Sequence, residues 1–372
     1  MPWYNELRPS SDPKRESYSL LFKNMFPDTA KRRTIKNLLA LREGLESKVP
    51  DKISDKNLLI CTWNIKEFGH TDQRLPEAYF YIAEILNRFD LIAIQEVKKT
   101  LDDLKIIMRL LGSDWDYMIN DITEGSKGNS ERSAYIFNTN RVQTVGISGE
   151  ITLWDKLTQN STVKQLRRSP HMTGFAAGWK KFSLVNLHLT PGKSAAAVAE
   201  RTEEIRLLAE AIKHKRNRNN LWNRNTILLG DMNLYRSKDQ QGIAYLNQAD
   251  FIEANSLQGV KTAVSASESY DRIFLDIDRY FQIAADDKGV HQAGVFNFFD
   301  YVYQLSNAES YKTKMKADYG GSKLDLNIKT DRAKYFNHPW RKNQMSDHYP
   351  VWIEIVTDST EGFLNSKLRD FS

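Results

Sequence analysis

The sequence predicts a layered fold of mixed α and β structure, and three observations lead there. Short apolar runs rich in branched and aromatic residues recur from Leu58 onward, amphipathic helical stretches alternate with them, and 41% of the 372 residues are apolar. That apolar share is enough for a large core. The runs read as strands are LLICTWNI, LIAIQEV, SAYIFN, TGFAAGW, FSLVNLHL, TILLGDMN, RIFLDI and YPVWIEIV. Helices are predicted over PEAYFYIAEILNRF, LDDLKIIMRLL and AAVAERTEEIRLLAEAIKHK.

Residues 1–56 have a different texture, polar and basic. Within them KRRTIKNLLALREGLESKV is predicted to be a helix with Ile35, Leu38, Leu39, Leu41 and Leu45 on one face, giving an appended helical extension. Two stretches read as loops: EGSKGNS, just before Glu131, and the Lys-rich region from about Ala308 to Gln344. The division that follows is an extension at 1–56, a main domain at 57–358 with a Lys-rich insertion at about 309–344, and a tail at 359–372. There is no internal repeat.

Lys and Arg exceed Asp and Glu by 53 to 47, a formal charge of +6 that suits a polyanionic partner. The single cysteine, Cys61, rules out an intramolecular disulfide and fits a reducing compartment. The opening MPWYNELRPSSDPKRE lacks an apolar stretch of signal-peptide length, and no run approaches the roughly 18 apolar residues of a membrane span. The expectation is a soluble cytoplasmic protein without a membrane partner; protein partners are not indicated. Trp3, Trp63, Trp115, Trp154 and Trp179 are expected to be core or half-buried aromatics.

Polar residues close the apolar runs, at the strand ends where a layered sheet opens to ligand. Asn64 ends LLICTWN, Glu96 ends LIAIQE, His188 ends FSLVNLH, Asp231 and Asn233 end TILLGDMN, and Asp347 with His348 precedes YPVWIEIV. Singly, each has an ordinary explanation as a turn cap, a surface ion pair or a core histidine. Together, oxygen donors from Glu, Asp and Asn suit a hard divalent cation, and two histidines beside them suit proton transfer. Hydrolysis of a phosphodiester needs both: a metal to offset charge in the transition state, and groups to activate water and protonate the leaving oxygen.

In order and spacing, CTWNIKEFG, DLIAIQEV, SERSAYIF, LVNLHLTP, LLGDMN, SYDRIFL and MSDHYPV resemble the endonuclease/exonuclease/phosphatase superfamily, and within it the deoxyribonuclease I-like branch. The resemblance runs from about Leu58 to Ile355. It implies an α+β fold, a four-layer α/β sandwich of two packed mixed β-sheets flanked by helices. It also implies a nuclease that hydrolyses DNA endonucleolytically with Mg²⁺ or Mn²⁺ (Ca²⁺ also fits), leaving 5′-phosphate and 3′-hydroxyl ends.

Carried over position by position, Glu96 and Asn64 would hold the cation, while Asp231, Asn233 and Asp347 would grip the phosphate or a second metal. His188 would pair with Glu131 and His348 with Asp271, each carboxylate fixing a ring tautomer. Which histidine is base and which acid stays open. Lys98 stands where the branch has a groove-binding Arg, Asn129 where it has a Tyr, Arg132 follows Glu131, and Tyr270 precedes Asp271; these are the candidate DNA contacts. In the insertion, lysines from Lys312 to Lys342 interleave with Tyr311, Tyr319, Tyr335, Phe336 and Trp340, a mixture that could grip phosphates and stack on bases.

His188 argues against the abasic-site endonucleases, which lack a histidine there. Tyr270 argues against the inositol-polyphosphate phosphatases, which carry Cys at that position. The absence of a leader and of an apolar hairpin argues against secreted sphingomyelinases. A phosphatase or phospholipid phosphodiesterase on the same scaffold, and a non-catalytic nucleic-acid-binding relative, are the alternatives.

Overall fold

Alternation of inward and outward side chains along each apolar run makes strands that bury both faces, and these assemble into two sheets. A computed structural model of the chain describes residues 2–14, 21–22, 26–69, 74–123, 130–218, 224–235, 237–265 and 268–371. The first sheet holds β1 (Asn57–Phe68), β2 (Leu91–Val97), β3 (Trp115–Ile119) and β4 (Arg132–Asn138), with β11 (Gln282–Ile283), β12 (Ala293–Val295) and β13 (Val351–Val356). Its order is β11-β13-β1-β2-β4-β3, with β12 also on β13. The second sheet, ordered β5-β6-β7-β8-β10-β9, holds β5 (Gln143–Glu150), β6 (His171–Ala177), β7 (Lys180–His188), β8 (Asn225–Asp231), β9 (Ile252–Glu253) and β10 (Asp271–Asp276). β1 runs parallel to β2 and β7 parallel to β8, whereas the other pairings are antiparallel.

The sheets pack face to face through Leu58, Ile60, Ala93, Tyr135, Leu184, Leu229, Ile273 and Ile353. Outside the first sheet lie α1 (Asp28–Lys48), α2 (Pro76–Asn87) and α3 (Asp102–Leu111), packed on Leu59, Trp63, Ile92 and Ile94. Outside the second lie α4 (Ala195–Arg218) and α5 (Gln240–Gln248), packed on Val185, Leu187 and Leu228. This is the α+β four-layer sandwich of two mixed sheets that the sequence predicted. Among the described residues no helix is long and apolar enough to cross a membrane.

A pair of amide side chains forms a polar bolt between the sheets, next to the bonds of the Tyr135 hydroxyl to the His171 and Leu184 carbonyls. Gln95 on β2 donates through Nε2 to Asn186 Oδ1 on β7 at 2.7 Å, and Asn186 Nδ2 donates to the carbonyls of Ile94 and Ala134, each at 3.1 Å. Both side chains are fully buried and well partnered, so the desolvation of their amides is repaid.

Several sequence expectations change. In α1, Leu38, Leu41 and Leu45 are buried, but Ile35 and Leu39 face solvent, because the helix docks on α2 over a narrower stripe than the apolar pattern implied. Leu7, Phe22, Phe26 and Val49 join the same core. The Ala308–Gln344 stretch is not a plain loop. It forms α6 (Lys312–Asp318), α7 (Lys329–Tyr335) and a further turn, with Tyr311, Met315, Tyr335, Phe336 and Trp340 buried against Tyr303 and α2. Trp179, expected to be at least half-buried, is 99% exposed on the β6–β7 turn. The loop EGSKGNS lies outside the described residues up to Asn129.

Candidate active site

Strand register builds the site. His188 ends β7 opposite Asp231 at the end of β8, and Asp231 in turn faces Asp271 at the start of β10. Three neighbouring strands therefore deliver three chemical groups in one row. The close approach of β8 to β7 needs a glycine before the aspartate. Gly230 has φ +140°, and a Cβ there would stand 2.0 Å from the Leu187 carbonyl oxygen.

From the facing sheet, Asn64 continues the inward side of β1 set by Leu58 and Ile60, so its amide points between the sheets. Asn64 Nδ2 donates to Glu96 Oε1 and to Asp231 Oδ2, both at 3.0 Å, and ties the two halves of the site together. By strict alternation Glu96 would point to the helix layer, like Ile92 and Ile94. Left-handed backbone at Glu96 (φ +60°), with a register shift between β1 and β2, breaks the alternation there. The Glu67 amide, also on left-handed backbone (φ +47°), donates to Glu96 Oε2 at 3.0 Å.

Both histidines approach the same oxygen. His348 Nδ1 is 2.8 Å from Asp271 Oδ2 and its Nε2 is 3.9 Å from Asp231 Oδ2. His188 Nδ1 is 3.2 Å from Glu131 Oε2 and its Nε2 is 3.5 Å from Asp231 Oδ2. The sequence-predicted pairs Glu131 with His188 and Asp271 with His348 are thus adjacent in space. Burial opposes a charge on His348, but Asp271 and Asp231 hold the imidazole well above its usual protonation range. Asp231 is also buried, yet His348, His188, the Asn64 amide and the Asn233 N–H keep its carboxyl below the usual range. Asn233 donates its backbone N–H to Asp231 Oδ1 at 3.0 Å and its Nδ2 to the Leu189 carbonyl at 3.2 Å, and so fixes the turn after β8.

Glu131 is embraced by three cations or potential cations. Arg168 Nε donates to its Oε2 at 3.0 Å, Lys98 Nζ donates to its Oε1 at 3.3 Å, and His188 lies beside it. Burial works against its charge, but His188, Arg168 and Lys98 bring its pKa down to about 2. Lys98, a candidate DNA contact from the sequence, is directed at Glu131 with its side chain 12% exposed. Arg132 and Tyr270 are half-buried, and the Tyr270 ring lies 5.9 Å from that of His348. Asn129 lies outside the described residues. Asp347 is half-buried beside His348. The buried aromatics of the 309–344 segment form core and are not available to stack on bases, which removes half of that segment's expected role; Tyr319 is only partly buried.

Two further residues contribute: Arg168, which carries no sequence signal, and Ser346, which lies within MSDHYPV. Arg168 is 37 positions from Glu131 with nothing in its surroundings to mark it, and its place depends wholly on the fold. Ser346 donates to the Asn64 carbonyl at 2.6 Å and accepts from the N–H groups of Lys66 (3.2 Å) and His348 (3.1 Å), so one hydroxyl staples β1 to the Asp347–His348 turn.

The donor set fits a hard cation. Asn64 Oδ1 is buried without a hydrogen-bond partner, while its Nδ2 is fully engaged, leaving an oxygen acceptor beside the Glu96 carboxylate. Asp231, Asp271 and His348 also place potential ligand atoms within 4.8 Å of one another.

No family model matches the chain. It is 26% identical to deoxyribonuclease gamma of Rattus norvegicus over 327 residues, 84% of this chain and 88% of that protein. It is 26% identical to deoxyribonuclease-1 of Sus scrofa over 149 residues, 38% of this chain and 51% of that one. Among solved structures, a mannosyl-6-phosphatase of Bacteroides thetaiotaomicron is similar with a TM-score of 0.50 and 18% identity, covering 80% of this chain and 99% of that one. That last likeness is one of fold.

Proposed function

Since the chain belongs to the endonuclease/exonuclease/phosphatase superfamily and is deoxyribonuclease I-like, we propose that it is a divalent-metal-dependent endonuclease that hydrolyses DNA to 5′-phosphate and 3′-hydroxyl ends. The observation that carries this reading is the approach of two imidazole Nε2 atoms, each backed by its own carboxylate, to one oxygen of Asp231. Hydrolysis of a phosphodiester moves protons at two oxygens, that of the attacking water and the departing 3′-oxygen, and two oriented histidines on one center match that need. One relieves the water of its proton while the other returns a proton to the leaving group.

Glu131 and Asp271 fix which ring nitrogen faces the reacting center. Asn233 and Asp231 bound the space the phosphoryl group would occupy. Glu96 and Asn64 would hold the cation, with Asp231 and Asp347 as further oxygen donors; when bound, Mg²⁺ or Mn²⁺ supplies positive charge against the developing negative charge on the phosphoryl oxygens. Lys98 and Arg168 compensate Glu131, and so reach substrate only if they leave it.

The deciding experiment incubates purified full-length protein with supercoiled plasmid, linear duplex, single strands, RNA, an abasic-site duplex and phosphoinositides, each with Mg²⁺, Mn²⁺ or a chelator. Plasmid nicking that requires the metal is the expected result. Phosphate release from phosphoinositides without nicking would refute the nuclease reading in favor of a phosphatase. DNA binding without turnover of any substrate would reduce the protein to a binding relative.

A further inference from the structure

Beneath the irregular end of β1 lies an arginine the catalytic reading does not use. The Arg74 side chain is 1% exposed and ion-pairs with the Asp103 carboxylate, which is wholly buried. Its guanidinium also donates to the Lys66 carbonyl, and more distantly to those of Glu67 and Met345, each at 3.5 Å. Asp103 is itself held by the Tyr79 hydroxyl at 2.7 Å and by the Gly69 N–H at 3.0 Å. The next residue, Leu75, donates its N–H to Gln344 Oε1 at 2.8 Å.

What these bonds hold is the strained part of the site. Glu67 has φ +47° and Gly69 φ +147°, and a Cβ on Gly69 would come within 2.6 Å of Lys98 Cβ. Left-handed backbone at a non-glycine residue persists only where its surroundings over-determine it. The result of that strain is a single directed bond, the Glu67 N–H to Glu96 Oε2 at 3.0 Å. On the other side, Met345 stands directly before Ser346, whose hydroxyl anchors the His348 amide. Arg74 therefore touches the two backbone segments that set Glu96 and the Asp347–His348 turn. A planar fork can hold several acceptors at fixed angles, which an ammonium cannot.

We propose that Arg74 is a positioning residue for the metal carboxylate: by clamping the Lys66–Glu67 end of β1 to Asp103 and to Met345, it holds Glu96 in its ligating orientation. The inference rests on the reading of Glu96 as a cation ligand. A purely architectural Arg74 would affect melting alone; a positioning one changes cation affinity in folded protein.

The test uses the full chain without nucleic acid, titrated with Mn²⁺ by calorimetry, with melting followed by circular dichroism in chelator. Arg74→Lys keeps the charge beside Asp103 and loses the fork. It should weaken Mn²⁺ binding about tenfold, the lower end of what outer partners of a ligating group command, in protein that still melts cooperatively. Parental Mn²⁺ affinity in folded Arg74→Lys overturns the inference. Should that variant fail to fold, Tyr79→Phe replaces it, removing one bond to Asp103; a measurable loss of Mn²⁺ affinity supports the inference and parental affinity overturns it. Glu96→Gln separates the two levels of the argument. If it abolishes Mn²⁺ binding while the Arg74 and Tyr79 variants bind normally, only the positioning role falls. If Glu96→Gln binds Mn²⁺ like the parent, the metal reading fails and the role of Arg74 falls with it.

Discussion

Glu131→Gln isolates the contribution of one carboxylate, because the amide has the same shape and leaves no cavity. In the folded chain His188, Arg168 and Lys98 outweigh burial and hold Glu131 at about 2, against an ordinary value of 4.5. A difference of that size corresponds to roughly 3 kcal/mol in favor of the folded state. The sign follows from proton uptake: the folded carboxylate resists protonation, so this stability is complete above about 4.5 and is lost as pH falls from there towards 2. At pH 7 Glu131→Gln should therefore lose about 3 kcal/mol in urea unfolding, and Arg168 and Lys98, both nearly buried, would be left without their anion. Catalysis should suffer as well. A glutamine can offer either its oxygen or its NH₂ to His188 Nδ1, so tautomer control is lost and nicking should fall on the order of 10²- to 10⁴-fold. An unchanged urea midpoint at pH 7 would refute the electrostatic account of Glu131, and parental nicking would refute its role in orienting His188.

Three further outcomes are expected. His188→Ala and His348→Ala should each cut plasmid nicking by about 10²- to 10⁴-fold with far-ultraviolet circular dichroism unchanged; near-parental nicking by either would remove that histidine from the mechanism. His171 is buried under Tyr135, and burial brings its pKa from 6.5 down to about 4. The unfolded chain takes up that proton first, so the parent should lose roughly 2 to 3 kcal/mol between pH 7.5 and 4.5 that His171→Gln does not lose; parallel urea curves across that range would exclude it. A chain starting at Lys56 should show no cooperative melt, because Phe26, Leu38, Leu41, Leu45 and Val49 leave the core at roughly 1.5 to 3 kcal/mol each, against about 5 to 15 for a whole domain. Cooperative melting and parental nicking by that shortened chain would show that residues 1–55 are dispensable.

The site was legible where chemistry sits at the end of a period-two apolar run. Asn64, His188 and Asp231 end such runs, and strand register sets His188 and Asp231 beside Asp271, which starts β10 and is supplied by the resemblance. What escaped the sequence has physical reasons. Strand β5 has mostly exposed, polar residues, and its apolar alternation is limited to Val145 and Ile147, too short to mark a strand. In the 309–344 segment lysines hide widely spaced aromatics that only tertiary packing unites, so its short helices leave no apolar period in the sequence. Trp179 broke the expectation for its type, since a hydrophobic residue on a hairpin turn has nothing above it to cover it. Lys98 and Arg168 took their roles from a carboxylate that lies 33 and 37 residues away.

The amide bolt between Gln95 and Asn186 gives the sandwich a fixed gauge. Glu96 and Asn64 belong to one sheet, His188 and Asp231 to the other, and apolar side chains between two sheets resist separation far better than they resist sliding. Directional bonds do resist sliding. Gln95 is the residue before Glu96, and Asn186 lies two before His188, so the bolt is set directly behind the chemistry. A phosphodiester has one fixed span between its attacked phosphorus and its departing oxygen, and a mechanism divided between two sheets works only while their offset matches that span. The pair is thus a spacer between sheets, and its replacement by two leucines would be expected to leave a stable fold whose two half-sites no longer agree on where the substrate is.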